Sequence, residues 1–492
     1  MYHINSHEII LDKDERLEPW TSHDRVVWLA MDFIKHCPVD KKTGRPWYLL
    51  YSCFWTDPLG PTIWPDNPAG KFAWAVTTLL KYYPYSGDQD HIEIVRSMLD
   101  SLIAHRVLEH LAWGNAPYAS AHPGTGNYFG ARADGEYATE PDKVAQVGRA
   151  FVDFYEMTGE EKYLQAGIDC ASVLVKHLVV GDEKHSPVPF RVDVRDGKVI
   201  EAYTADMIQL VRLFDELIRL GKLEFSSARD QVMNWLIQYP LKNNIWKGYF
   251  EDIRLDPENG NRDQLTALET ARYFIQNPTL DPDPGRTAPG LIQWVRETLG
   301  ASLFFSAIPI HEQKYCYHVM GSHTARFAAL CAHWFEESGE ETYREMAIRA
   351  LNWASYMANE DGTVHVGVDR PDYYNQCWFT DGYFDYVPHF IDTMASIPEL
   401  APGDSDHMLR STTIIREITY QPYEVNYQTF DQKGTQRLKL TFEPVQVESG
   451  NQVLTRLLTP VTREGWFFDR MSHLLIINHS QSSIRIAGRP GQ

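Results

Sequence analysis

The feature of this chain that most constrains its fold is a repeated unit: two amphipathic helices joined by a short glycine-containing link, followed by a long loop. In KVAQVGRAFVDFYEMTGEEKYLQAGIDCASVLVKH, residues Val144, Val147, Phe151, Phe154 and Tyr155 recur at helical spacing, and Gly159 breaks the pattern before a second helix begins. The design returns in FAWAVTTLLKYYPYSGDQDHIEIVRSMLDSLIAH, broken at Gly87, and in ADMIQLVRLFDELIRLGKLEFSSARDQVMNWLIQ, broken at Gly221. It returns again in TARFAALCAHWFEESGEETYREMAIRALNWASYM, broken at Gly339. Each glycine stands where a helix C-terminus wants a left-handed residue. A hairpin of this kind cannot bury its apolar face alone, so successive copies must stack.

Long loops separate the hairpins, at roughly 37–66, 111–141, 182–203, 240–262, 301–321 and 360–379. About twelve helices result: one near 22–36, the hairpins above, a less regular pair near 263–300 and a last helix near 381–395. Alternating short and long links predict a mainly α fold, an (α/α)6 toroid of six hairpins over residues 1–404. Its inner helices are those that follow a long loop: 69–83, 142–157, 205–220, 263–276, 322–337 and 381–395. In the third of these, Ile208, Val211, Phe214 and Ile218 form one stripe and Leu210, Leu213 and Leu217 another, a pattern that requires burial on both sides. All six long loops then meet at one end of the ring, the natural mouth of a site. Small strands are expected within the loops, including a hairpin in PFRVDVRDGKVIEAY that turns at Asp196–Gly197 and a strand in GTVHVGV. After about residue 405 the pattern becomes alternating and β-rich, predicting a small β-sandwich-like C-terminal domain over 405–492.

A formal net charge of -20 argues against nucleic acid or an anionic membrane as partner, since both need a basic face. No apolar run approaches the length of a membrane span, and the N-terminus lacks the basic and apolar regions of a signal peptide, so a cytoplasmic location is expected. The six cysteines contain no CxxC pair, which predicts reduced thiols and no structural zinc; no metal or other cofactor is expected. A homo-oligomer stays open. Aromatic residues make up 13% of the chain, enough to line a wide ligand cleft as well as a core.

The loops collect the polar and aromatic clusters. The second carries Tyr128, Arg132, Asp134 and Glu136; the third carries Arg191; the fourth Trp246, Tyr249 and Glu251; the fifth His311 and Glu312, with His323 opening the helix that follows. The sixth holds Tyr374 and Trp378 and runs into CWFTDGYFDYVPHF, where six aromatic rings surround Asp381 and Asp385. This run reads either as a helix start capped by Thr380 or as a sugar site, with rings for sugar faces and carboxylates for glycosidic oxygens. Glu140 and Asp142, in TEPDK, read first as a helix start with Pro141 at its first position. Asp385, one turn beyond Asp381, reads as a supporting or core group.

The alternating hairpins, the connectors TGEEKY and SGEETY and the helix start WFTDGYFDY resemble the bacterial six-hairpin glycosidases. That group is similar in plan to the unsaturated glucuronyl hydrolases and to β-glucuronidase-type relatives. The resemblance covers roughly residues 20–400 and implies a glycosidase that uses two carboxyl groups across the scissile bond. The working pair expected here is Asp381 with Asp134 or Glu136, and Glu251 and Glu312 stand in reserve. Substrate contacts are expected from Arg132, Arg191, Tyr128, Trp246, Tyr249, His311, His323, Tyr374 and Trp378. Arg132 and Arg191 would favour a uronic acid through bidentate carboxylate recognition. Two other chemistries suit a helical ring: a polysaccharide lyase with a Tyr or His base, and a sugar epimerase working with His323 and His365. A sugar-binding scaffold without activity is a further reading, although the loops hold more carboxylates and histidines than binding needs.

Overall fold

A computed structural model of the chain describes residues 3–62, 68–118, 137–247, 260–368, 375–460 and 463–490. Thirteen α-helices lie among the described residues: α1 His23–Lys35, α2 Trp47–Leu50, α3 Pro68–Ser86, α4 Asp90–Ala104, α5 Pro141–Thr158, α6 Glu161–His177 and α7 Ile208–Arg219, followed by α8 Ser226–Leu236, α9 Gln264–Gln276, α10 Thr287–Leu299, α11 Gly321–Ser338, α12 Glu341–Ser355 and α13 Val387–Ser396. All but the single turn α2 correspond to the repeat read from the sequence. The link glycines Gly87, Gly159, Gly221 and Gly339 have φ of 76°, 76°, 85° and 72°, the left-handed conformation expected of them.

Five hairpins, α3/α4, α5/α6, α7/α8, α9/α10 and α11/α12, pack as antiparallel pairs, and α13 packs on α1 from the opposite end of the chain. The helices that follow the long loops touch in sequence: α3 packs on α5, α5 on α7, α7 on α9, α9 on α11 and α11 on α13, and α13 returns to α3. In α7 the residues of both apolar stripes from Ile208 to Leu217 are fully buried, as two-sided packing requires. Close approach is built in at Gly148 of α5, where a Cβ would stand 2.7 Å from Leu213 Cδ2 of α7 and 3.0 Å from Cys170 Cβ of α6.

One expected helix differs. Residues Phe379–Phe384 form a π-helical turn, and α13 starts only at Val387. Thr380 therefore lies inside a turn rather than at an N-cap, and its carbonyl accepts the Asp385 N–H at 2.7 Å. The strand Gln376–Trp378 precedes the turn and pairs with Cys53–Thr56, which fixes the turn against the first long loop. The loop hairpin Arg191–Asp193 with Val199–Glu201 forms as expected. GTVHVGV instead makes only isolated bridges, Val364 to Ala358 and Gly367 to Met320.

After residue 406 two antiparallel sheets form. One has the order His407–Ser411, Gly434–Lys439, Leu474–His479, Gly465–Asp469; the other Ile415–Gln421, Glu424–Thr429, Ser483–Pro490, Phe442–Ser449, Gln452–Val453. Their inner faces share a core of Ile418, Val425, Leu438, Val447, Trp466, Ile477 and Ile486. The sheets sit on the C-terminal ends of the ring helices. Arg410 donates to Glu336 near the end of α11 at 2.8 Å, Arg219 at the end of α7 donates to Asp431 at 2.8 Å, and the Arg416 guanidinium donates to the Glu156 carbonyl of α5 at 2.7 Å. None of the six cysteines is in a disulfide. No helix among the described residues is long and apolar enough to cross a membrane.

Candidate functional site

At the end of the ring away from the sheets, successive inner helices each begin with a buried polar group. Pro141 opens α5 at its first position, as the sequence predicts, which places Asp142 and Lys143 in the first turn; the Lys143 ammonium lies 3.3 Å from Asp142 Oδ2. Asp206 stands two residues ahead of α7, where Thr204 Oγ1 accepts its backbone N–H at 3.0 Å and its Oδ1 accepts from Gln209 Nε2 at 3.3 Å. Its second oxygen is buried and has no hydrogen-bond partner among the described residues. Asp263 caps α9 by accepting the Thr266 N–H at 2.9 Å. His323 lies in the first turn of α11, and Asp381 in the π turn before α13.

These groups influence one another. Burial, followed by the Asp142 charge, pushes the Asp206 carboxyl well above the usual carboxylate range, against the pull of Lys143. Burial pushes Asp263 up to about 6, opposed by the Thr266 N–H and by Lys143. On the other side, His323, Asp381 and Asp385 each place one nitrogen or oxygen so that the three atoms lie within 4.8 Å of one another. Asp385 is locked: Arg326 binds it, and His389 Nε2 lies 3.1 Å from its Oδ1. Burial alone would raise Asp385, and Arg326 with His389 holds it below its ordinary value. Burial and then Arg326 push His323 down to about 3, so its imidazole is neutral across the physiological range. Its Nε2 has no hydrogen-bond partner among the described residues. The three donors could approach a cation, but Asp385 already carries the Arg326 guanidinium, which opposes a second positive charge there.

No protein-family model and no curated protein matches this sequence. Solved structures do match in shape. A cellobiose 2-epimerase from Spirochaeta thermophila superposes with a TM-score of 0.56 at 11% identity, covering 77% of this chain and 97% of that one. A D-mannose isomerase gives 0.54 at 12% identity over 77% and 96% of the two chains. A family 76 glycoside hydrolase from a bovine Bacteroides thetaiotaomicron strain gives 0.52 at 12% identity over 77% and 78%. At these identities the likeness is one of fold: the chain shares the overall arrangement of these three structures.

Within this six-hairpin frame the residues expected from sequence separate into three groups. Tyr128, Arg132, Asp134, Glu136, Tyr249, Glu251 and Tyr374 lie outside the described residues. Asp381 and His323 are brought together, and His311 and Glu312 run beside the start of α11, where the Ile310 N–H donates to Thr324 Oγ1 at 2.9 Å. Gln313 Nε2 donates to Glu312 Oε1 at 3.1 Å, so Glu312 is buried in an amide network. Arg191, Trp246 and the aromatic run stand differently from expectation. Arg191 is fully buried against Glu140, with Nη2 to Oε1 at 2.8 Å, which engages the guanidinium expected to meet a substrate carboxylate. Trp246 is also fully buried and donates to Asn244 Oδ1 at 2.8 Å. Of the rings around Asp381, Phe379, Tyr383, Phe384, Tyr386 and Phe390 are all fully buried, and Tyr383 stacks on Phe33, so these five are core rather than a sugar platform. Trp378 alone among the rings of that run keeps partial exposure. His365 lies by Asn359, its Nε2 3.4 Å from Nδ2, and the histidines that bear on His323 are His389 and His318 instead.

Asp206 and Asp263 were not singled out in the sequence, because an Asp ahead of an apolar helix reads as a cap. The signal that marks them is their position in the repeat: each lies within two residues of the start of an inner helix, as Asp142 does in another hairpin.

Proposed function

We propose that this chain is a carbohydrate-active enzyme, a glycoside hydrolase in which Asp206 is the proton donor and Asp142 the second carboxyl. Residues 1–404 would form the catalytic (α/α)6 toroid and 405–492 the β domain. The observation that carries this reading is the pair itself. Two carboxyls from neighbouring inner helices sit close enough to interact, one salt-bridged to Lys143, the other driven toward its protonated form by burial and by that neighbour. A carboxyl driven toward its protonated form beside a second carboxyl suits the general acid of a glycosidase. The unpartnered Asp206 oxygen is the atom free to face a glycosidic oxygen. Asp381, the carboxylate favoured by sequence, then stands beside His323 as a sugar-binding group. The likeness to a glycoside hydrolase fold supports the class of chemistry and leaves the sugar open. With Arg191 engaged by Glu140, preference for a uronic acid rests on Arg132.

A second reading, a sugar epimerase or isomerase, is favoured by one observation: His323 is neutral with a free nitrogen at the same end of the ring. A neutral imidazole is a competent base for a proton next to a carbonyl. One panel separates the two. Aryl glycosides and oligosaccharides are incubated with the purified chain and followed for released sugar and for isomers of unchanged mass. Hydrolysis that disappears in Asp206→Asn supports the first reading. Mass-neutral conversion that disappears in His323→Ala but survives in Asp206→Asn supports the second and overturns the first.

A further inference from the structure

The ring axis holds a second feature that the proposed chemistry does not use. A cavity of about 270 Å³ runs between the inner helices toward their C-terminal ends and is closed by residues 408–415 of the sheets. No described residue of the six long loops lines it. Five cationic side chains line it, Lys81, Arg149, Arg212, Arg272 and Arg410, against three acids, Asp153, Glu269 and Asp392. Salt bridges use part of this charge: Lys81 and Arg272 share Asp392, at 2.6 Å and 2.9 Å, Arg212 takes Glu269 at 2.8 Å, and Arg410 takes Glu336 at 2.8 Å, which leaves Arg149 the least engaged.

What remains is a set of unanswered polar atoms. Both amide atoms of Gln146, Nε of Arg149, both ring nitrogens of His333 and Nε of Arg410 are buried without a hydrogen-bond partner among the described residues. Gln146 is 8% exposed and His333 5%, so bulk water does not answer these two side chains. Arg149 reaches its nearest acid, Asp153, only at 3.7 Å. These groups come from α5, α11 and the first strand of the sheets, yet all four side chains line one cavity. Buried donors left unmade weigh against folding, and so many around one space require an occupant that supplies acceptors. An excess of cations selects a negative one.

We propose that this cavity is a binding site for a small molecule bearing a phosphate or carboxylate group, with Arg149, Arg410, Gln146 and His333 as its donors. The volume is near the lower bound of small-molecule sites, about 300 Å³, which suits a sugar-sized anion better than a bulky one. The proposal is independent of the glycosidase reading. Gln209 and His389 line the cavity and also bond to Asp206 and Asp385, so the site lies one side chain below the carboxylates.

The test is thermal unfolding of the full chain in inorganic phosphate, glucose 6-phosphate or glucuronate, each against sodium chloride of equal ionic strength. A ligand at about 100 times its Kd should raise Tm by about 2–3 °C in a chain of this size. The response should saturate, and the probe that gives it distinguishes phosphate from carboxylate. Arg149→Gln should weaken binding by about tenfold or more, as loss of a charge-assisted donor does. Gln146→Leu should raise the ligand-free Tm, because it removes an unanswered amide, and should lose the ligand response. If none of the three probes raises Tm beyond the salt control, or if both variants respond as the parent does, the cavity is water-filled packing space and the proposal is wrong.

Discussion

Two groups of buried charge share the interior of the ring and behave in opposite ways. In the lower group Glu269, Asp392 and Asp385 are each held by at least one arginine or lysine. Glu269 meets Arg212 at 2.8 Å and both Arg272 and Arg326 at 3.3 Å; Asp392 meets Lys81 and Arg272; Asp385 meets Arg326 and His389. Burial would raise all three carboxyls, but the cations prevail and hold them below their ordinary range. In the upper group three acids, Asp142, Asp206 and Asp263, share Lys143, and burial prevails for Asp206 and Asp263. Glu269 and Asp263 belong to the same short stretch of chain, so dryness alone does not separate the groups. The supply of counter-charge does. The lower group is scaffold, and the upper group is poised to exchange a proton.

The largest expected effect tests the poised group. On the glycoside identified by the panel above, Asp206→Asn should lower kcat by about 10²–10⁴-fold, as loss of a general acid does. The same substitution should leave Tm unchanged or raised, since it removes a buried, poorly paired carboxyl. The opposite pattern is expected below. Glu269→Gln strips the shared partner from three guanidinium groups and should cost about 3–5 kcal/mol of stability, read by denaturant unfolding. If the two substitutions gave the same pattern, the division into scaffold and poised groups would be lost.

The pH dependence sharpens the comparison through its sign. Asp263 has a folded pKa of about 6, above the unfolded value, so the native state holds its proton more tightly. Its contribution is therefore complete at low pH and is lost as pH rises from about 4 to about 6, on the order of 2–3 kcal/mol. Asparagine keeps the helix cap and has no proton to lose, so Asp263→Asn should flatten this decline in Tm. Glu269 and Asp392 have depressed folded values and act in reverse: their stabilisation is present above about pH 4 and is lost on acidification. The smallest effect expected is on the pH–rate profile. Lys143→Met removes a cation that pulls the Asp206 carboxyl down, and the basic limb should move up. An unmoved limb would take Asp206 out of the working pair.

The ring was legible in the sequence because its signals repeat. Four glycines at the helix ends and the double stripe of α7 each carry a local physical meaning that the fold preserves. The sheets after residue 406 were equally plain, since alternation along Ile415–Gln421 and Leu474–His479 reports one buried face. The site was less legible. The aromatic run around Asp381 looked like a ligand surface, yet its rings fill the core under a π turn, a backbone form that hydrophobic periodicity does not encode. Arg191 looked available because its partner, Glu140, lies 51 residues earlier in the chain. Asp206 was hidden by its resemblance to an ordinary cap. Burial first, and then its neighbours in space Asp142 and Asp263 from other hairpins, push its carboxyl up.

The central claim is that Asp206 holds its proton well above the usual carboxylate range, and infrared difference spectroscopy tests it without any knowledge of the substrate. Spectra of the parent chain and Asp206→Asn are subtracted at pH 7. The account predicts that the substitution removes a carbonyl stretch of a protonated carboxylic acid. Loss of an ionised carboxylate band, with no change in the protonated region, would contradict it.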